Sequence, residues 1–192
     1  MRRGVHRGAR KPVQSFAPGE STDAEVLAAA AGVDSDEVCP AHRWLEAPMA
    51  PPMAAALLDR PAFTVAELVD EVQWPLGVGV GLVESVGGVR SPLADDGDTV
   101  DLVARLGADG ILLVADAGLG TISDVRLAAD ALADSAVLVL LNRFDPDVDL
   151  HRRNEAWLRE REGLLVETDV TAMVGRSFDW CRPSAVVPRQ EV

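Results

Sequence analysis

The chain of 192 residues has no tyrosine, three histidines, two cysteines and, among its eighteen basic residues, a single lysine, Lys11. Each scarcity excludes something. Cys39 and Cys181 are too few and too far apart for a disulfide framework or a zinc cage, which makes a reducing, cytoplasmic setting the expected one. His6, His42 and His151 lack metal-ligand spacing and are expected in surface or capping roles. Trp44, Trp74, Trp157 and Trp180 are expected in a core or an interface rather than as a platform for bases. No apolar run is long enough to cross a bilayer, and the N-terminal "MRRGVHRGAR" is basic without the apolar centre of a signal peptide. Thirty-one acids against eighteen bases give a formal charge of -13, which repels a phosphate backbone and argues against general nucleic-acid binding. A phosphorylated ligand therefore has to be held at a local site.

The lysine is the informative scarcity. A composition that writes nearly every basic position as arginine keeps an amine at "ARKPVQS", and an ammonium is a compact point charge where a guanidinium is a fixed planar fork. Lys11 is thus expected to be a position that needs an amine.

What is present is enough for a real core: 48% of the residues are apolar. The expected organisation is a single α/β domain over 1–180 with a loose tail, "CRPSAVVPRQEV", over 181–192. "GVHRGARKPV" reads as a first strand from Gly4 to Val13. "FAPGESTDAEVLAAAAG" reads as a loop and a helix capped by Ser21 or Thr22, with Gly32 at its exit. "APMAPPMAAALL" predicts a short helix after a Pro-rich turn, and "TVAELVDEVQW" a second one with Val65, Leu68, Val69 and Val72 on one face. "LGVGVGLVE", from Leu76 to Glu84, reads as a buried strand whose glycines 77, 79 and 81 leave room for a helix.

The second half repeats the rhythm. "DTVDLVARLG" is a helix capped by Asp98, "GILLVAD" a fully apolar strand, "TISDVRLAADALAD" a helix and "SAVLVLLN" a strand. "DLHRRNEAWLRERE" is a solvated helix expected to pack through Leu150, Ala156, Trp157 and Leu158, and "GLLVE" is a last short strand. Strands separated by helices predict βαβ units and a mostly parallel sheet covered on both faces. Ligands of such sheets bind beyond the carboxyl ends of the strands. The residues there are Lys11 to Ser15, Glu84 to Gly88, Asp116 to Thr121 and Asn142 to Asp145. A carboxylate ending a buried strand, as Glu84 does, needs a cation or donors beside it, and the "SVGG" after it offers backbone N–H groups to an anion.

Other motifs carry less. Ser85 after a strand lacks the glycine two residues earlier that a hydrolase elbow requires. "ADDGDTV" lacks the closing glutamate of a calcium loop and is expected to be a turn and a helix cap.

In order and spacing, "KPVQS", "TDAEVL", "APMAPPMAA", "LVESVGG", "LLVADAGLGTI" and "VLLNRFD" resemble dethiobiotin synthetase, the biotin-pathway ligase with a P-loop NTPase fold, over Lys11 to about Asp169. The resemblance implies an ATP- and Mg2+-dependent cyclo-ligase that makes a cyclic urea from 7,8-diaminopelargonate and CO2 through a phosphorylated carbamate. It assigns Lys11 to catalysis and Ser15 to substrate. It gives Asp23 and Glu84 to magnesium and nucleotide, Ser85, Val86 and Gly87 to the ATP phosphates, and Asn142 to adenine. It also implies a homodimer. This chain departs from the family where "VESVGG" stands for "VEGAGG", which is expected to tighten that loop.

A second departure is that no GxxxxGK[ST] occurs, and the family's phosphate loop belongs to the strand and helix before "KPV". Those elements need about twenty-five residues and ten precede Lys11. The expectation is either a polypeptide that begins upstream or a paralogue without the loop, catalytically inactive, that binds a ligand or a partner subunit.

Overall fold

The computed structural model describes residues 6–175; the expectations for 181–192, Trp180 and Cys181 lie outside the described residues. These fall into two compact units, one up to Leu106 and one from Gly107, each taken by itself.

In the first unit, strand β1 (His6–Arg10) pairs in parallel with β4 (Val78–Val83), and β2 (Gln14–Ser15) in parallel with β3 (Trp44–Leu45). Helix α1 (Asp23–Ala31) follows the predicted caps closely. The Thr22 hydroxyl accepts from the Glu25 amide while the Glu25 carboxylate accepts from the Thr22 amide, and Gly32 closes the helix in the left-handed conformation at φ 70°. A single helical turn, α2 (Ser35–Val38), leads to the buried Cys39. Helix α3 (Pro51–Leu57) starts on prolines, which suit a first turn, and α4 (Val65–Glu71) repeats the capping box through Thr64 and Glu67. Val72, expected on the apolar face, instead ends that helix.

"ADDGDTV" forms a turn at Asp95 and Asp96 and a helix cap at Asp98, as the sequence predicts. It makes a small antiparallel pair, β5 (Pro92–Ala94) with β6 (Gly97–Asp98), and then α5 (Thr99–Leu106), whose Val100 and Asp101 amides bond to Asp98. The Asp95 and Asp96 carboxylates accept from the amides of Phe63 and Val65 and so fasten the start of α4. The core of this unit gathers Val13, Leu45, Ala54, Phe63, Val65, Leu68, Leu93 and Leu102. At its edge the Arg43 guanidinium lies over the Phe63 ring and pairs with Glu71. Burial alone would raise the Glu71 carboxyl, but its bonds to Arg43 and His42 hold it below the ordinary carboxylate value.

The second unit is a parallel sheet, β7 (Ile111–Asp116), β8 (Val137–Asn142) and β9 (Leu165–Glu167) in that order, with α6 (Thr121–Ala131), α7 (Asp149–Glu160) and a short α8 (Val170–Gly175). The fold is therefore α/β with parallel βαβ units, as the strand and helix rhythm predicts.

Three expectations change. Strand β4 is not buried: Leu82 is 54% exposed, and on β7 Leu112 and Val114 are 39% and 54% exposed. Continuous apolarity makes a strand able to be buried on both faces, but each face is dry only where another layer covers it. Second, one glycine of β4 is met by an aromatic ring rather than a helix. Gly81, together with Gly8 of β1, receives the Trp74 indole, whose ring atoms stand 2.6 Å from where a Gly81 Cβ would be. Third, α7 packs through Leu158 and Asn154, while Leu150 and Trp157 are 40% and 46% exposed. Positions 154 and 158 are one helical turn apart and share the inward face.

The Trp74 slot makes a checkable prediction. Gly81→Ala forces the indole off the strand and is expected to cost about 1–3 kcal/mol, the range for overpacking. A lower urea midpoint with red-shifted tryptophan emission is the expected result, and an unchanged spectrum and midpoint would refute the slot.

Candidate functional site

Three of the residues singled out in the sequence meet at one point. Lys11 leaves the end of β1, and its backbone amide donates to the Val38 carbonyl, which turns the chain away from the sheet. The side chain is 2% exposed. Its Nζ donates to Asp23 Oδ2 at 2.7 Å, Glu84 Oε1 at 3.2 Å and the Ser85 carbonyl at 2.8 Å. Three donors meet three oxygens, so the ammonium is saturated.

The elements that deliver these oxygens follow from local sequence. Asp23 is the first residue of α1, placed there by the Thr22 cap. Glu84 continues the β1–β4 pairing, its amide donating to the Arg10 carbonyl at 2.9 Å. The carboxylates are half-exposed, 57% and 48%, so the ammonium lies beneath them and they face solvent.

Behind Asp23 sits Gln14, which sequence reasoning passed over. It is buried; its Oε1 accepts from the Ala24 amide at 3.1 Å, tying the start of α1 to β2, and its Nε2 has no partner. The available signal was a polar residue between the apolar Val13 and the predicted loop. Ser15, on β2, is partly exposed and its hydroxyl makes no hydrogen bond. Cys39 is close enough to feel the Lys11 charge, yet burial pushes its thiol up to about 12, which leaves it protonated and unreactive at neutral pH.

The loop after Glu84 explains the substituted "VESVGG". The Ser85 hydroxyl is 2.5 Å from that of Thr99, and Val86 packs against the apolar core, so both side chains turn inward. Gly87 has φ 69° and its neighbour's amide donates to Ser91 Oγ, a conformation that L side chains rarely adopt. The loop is held from within by these contacts. Thr99 was not anticipated.

In the second unit, Asn142 ends β8 exposed, its Oδ1 accepting from the Arg143 amide at 3.0 Å. Arg143 adopts a left-handed φ of 57°, and its guanidinium meets Asp116 Oδ2, from the end of β7, at 2.6 Å. The turn from Asp116 into α6 is pinned by Asn154, whose Nδ2 donates to the carbonyls of Ala117 and Gly118. At the start of α6 the Thr121 hydroxyl is buried without a partner, and no side chain caps that helix. The structure thus joins Lys11, Asp23 and Glu84 within the first unit, while Asn142 stands in the second.

The chemistry of the donor set fits a hard divalent cation. Two carboxylate oxygens and a carbonyl already surround one positive centre, and oxygen is the ligand magnesium prefers. Among the described residues no cluster of three or more His, Cys, Asp or Glu could hold a metal ion. No helix among the described residues is long and apolar enough to cross a membrane.

Parallel α/β units of this kind take their ligands beyond the carboxyl ends of the strands, where Lys11, Glu84, Asp116 and Asn142 stand. Residues 4–175 match a family described as an AAA domain, which has the P-loop NTPase fold. The chain is 36% identical over 167 residues to the ATP-dependent dethiobiotin synthetase of Haloferax mediterranei, covering 82% of this chain and 68% of that one. It is 39% identical over 165 residues to the enzyme of the same name from an Anaeromyxobacter species, covering 80% and 72%. With the Caulobacter vibrioides enzyme it shares 34% over 157 residues, covering 76% and 71%. The chain belongs to the dethiobiotin synthetase family.

Proposed function

We propose that the protein is an ATP-dependent cyclo-ligase of biotin biosynthesis that forms the cyclic urea of dethiobiotin from 7,8-diaminopelargonate and CO2. The observation that carries this reading is the buried ammonium of Lys11 held between Asp23 and Glu84. The balanced sequence is short. One amine adds to CO2 and loses a proton to give a carbamate. A carbamate oxygen takes the γ-phosphoryl group of ATP as ADP leaves. The second amine then attacks the carbonyl carbon, loses a proton to water and expels phosphate.

Lys11 is suited to the second step, where two anions approach one another and fixed positive charge is needed. A magnesium ion held by Asp23 and Glu84 would supply charge neutralisation at the terminal phosphates. Ser15, with a free hydroxyl four residues after Lys11, is assigned to hold the diamine. The Ser85–Gly87 backbone is assigned to the phosphates, and the Asn142 carboxamide to the base. The uncapped start of α6 with its unpartnered Thr121 hydroxyl offers a further anion-receptive point. A homodimer and a cytoplasmic setting complete the reading.

The test is dethiobiotin formation, followed by mass spectrometry, from 7,8-diaminopelargonate, bicarbonate and ATP with Mg2+. Product with stoichiometric ADP is expected of a form that carries the glycine-rich phosphate loop ahead of Lys11, and very weak ATP binding of the chain without that loop. Binding of diamine or ATP without product would favour a non-catalytic ligand-binding protein, and absence of both product and binding would overturn the reading.

A further inference from the structure

Lys11 occupies the point at which its two carboxylates converge. Its Nζ is 2.7 Å from Asp23 and 3.2 Å from Glu84, and the Ser85 carbonyl at 2.8 Å accepts its third hydrogen bond. An ammonium in that position is a resident cation. It satisfies the oxygens that a divalent ion would need, and it neutralises one of their two negative charges. A divalent ion bridging the same two oxygens would stand within a few ångströms of the ammonium, where like charges repel strongly because the lysine is shielded from solvent. The carboxylates, by contrast, are half-exposed and reachable from outside.

We propose that Lys11 and a divalent cation compete for Asp23 and Glu84, so that metal binding frees the ammonium from both carboxylates. This rests on the reading that the site uses a divalent cation. Lysine suits such an exchange because its charge is a point on a flexible four-carbon stem, able to swing out while its backbone stays fixed to Val38. The freed charge becomes available to anionic substrates only when the metal is in place. Before that, the lysine keeps two facing carboxylates together and holds the strand end and the helix start in register. With the ion in place its double charge neutralises both carboxylates, and the ammonium no longer has a counter-charge there.

The composition provides a direct readout. Lys11 is the chain's one lysine, so an amine reagent has a single side-chain target, with the α-amino group as internal control. Acetylation by acetic anhydride at fixed pH, quantified on the Lys11 peptide by mass spectrometry, is expected to be slow without metal and at least about tenfold faster with saturating Mg2+ or Mn2+, a factor that corresponds to about 1.4 kcal/mol. Independently, Lys11→Met is expected to bind Mn2+ alone at least about tenfold more tightly than the parent by electron paramagnetic resonance, as removal of a repelling charge requires. Should Lys11→Met fail to fold, Lys11→Gln and the labelling of the unaltered protein decide. Equal Mn2+ affinities, no Mn2+ binding by any variant, or a lysine that stays protected when metal is bound would each overturn the proposal. None of these measurements needs turnover, so a protein that exchanges metal for lysine yet makes no dethiobiotin would sink the functional reading and leave this one standing.

Discussion

Lys11→Arg is expected to lower dethiobiotin formation by roughly a hundredfold or more, the scale of losing one preorganised electrostatic contact in a transition state. The charge is retained, so the loss is one of shape. Lys11 is buried to 2% exposure among three oxygens at 2.7–3.2 Å, a space measured for a single nitrogen. A guanidinium is a planar fork that has to push Glu84 or Asp23 aside, and it cannot enter between a carbamate and a phosphoryl group as an ammonium can. The KM for ATP is expected to change little, because the contacts assigned to the base lie on Asn142. Steady-state rates for both proteins check this. Equal rates would mean that the single lysine is a compositional accident.

Neutralising both carboxylates is expected to damage the fold as well as the chemistry. Asp23→Asn with Glu84→Gln leaves the Lys11 ammonium buried among neutral oxygens, with no negative charge in contact with it. Breaking a buried ion pair by removing one side costs about 3–5 kcal/mol, because the remaining charge is uncompensated. The half-exposure of the carboxylates does not relieve this, since the buried partner carries the desolvation cost. Urea denaturation of the double variant is expected to show a loss of that size, and adding Lys11→Met to it should restore most of the stability. A double variant within about 1 kcal/mol of the parent would show that the pair behaves like an exposed one. Each single substitution leaves one carboxylate on the lysine and is expected to cost less.

Much of the site was legible because its logic is local. A lone lysine in an arginine-rich chain marks a position with a specific requirement, and a carboxylate at the end of an apolar run marks another. Thr22 caps α1 through a capping box that can be read at a spacing of three residues, which is why Asp23 is where the sequence places it. Gln14 was not legible. Its bond to the Ala24 amide joins a strand to a helix ten residues on, and no periodicity reports such a pairing. Thr99 was missed for the same reason, since its hydroxyl meets Ser85 fourteen residues away. Asn154 was hidden inside a charged run, where only the inward direction of one helical face separates it from its solvated neighbours.

The sequence by itself determined the alternation of strands and helices, the caps, the family and the three residues that meet at the ammonium, because each depends on residue type and short-range spacing. The tertiary structure decided which apolar faces are covered, as Leu82, Leu112 and Val114 show by remaining exposed. It decided that Gly8 and Gly81 receive the Trp74 ring. It also decided that Lys11 rests between Asp23 and Glu84 instead of reaching out to solvent. The physical reason is common to all three. Apolarity, small size and charge are properties of a residue, whereas what each of them meets is set by chain segments far away in sequence, and burial and ion pairing exist only once those segments have come together.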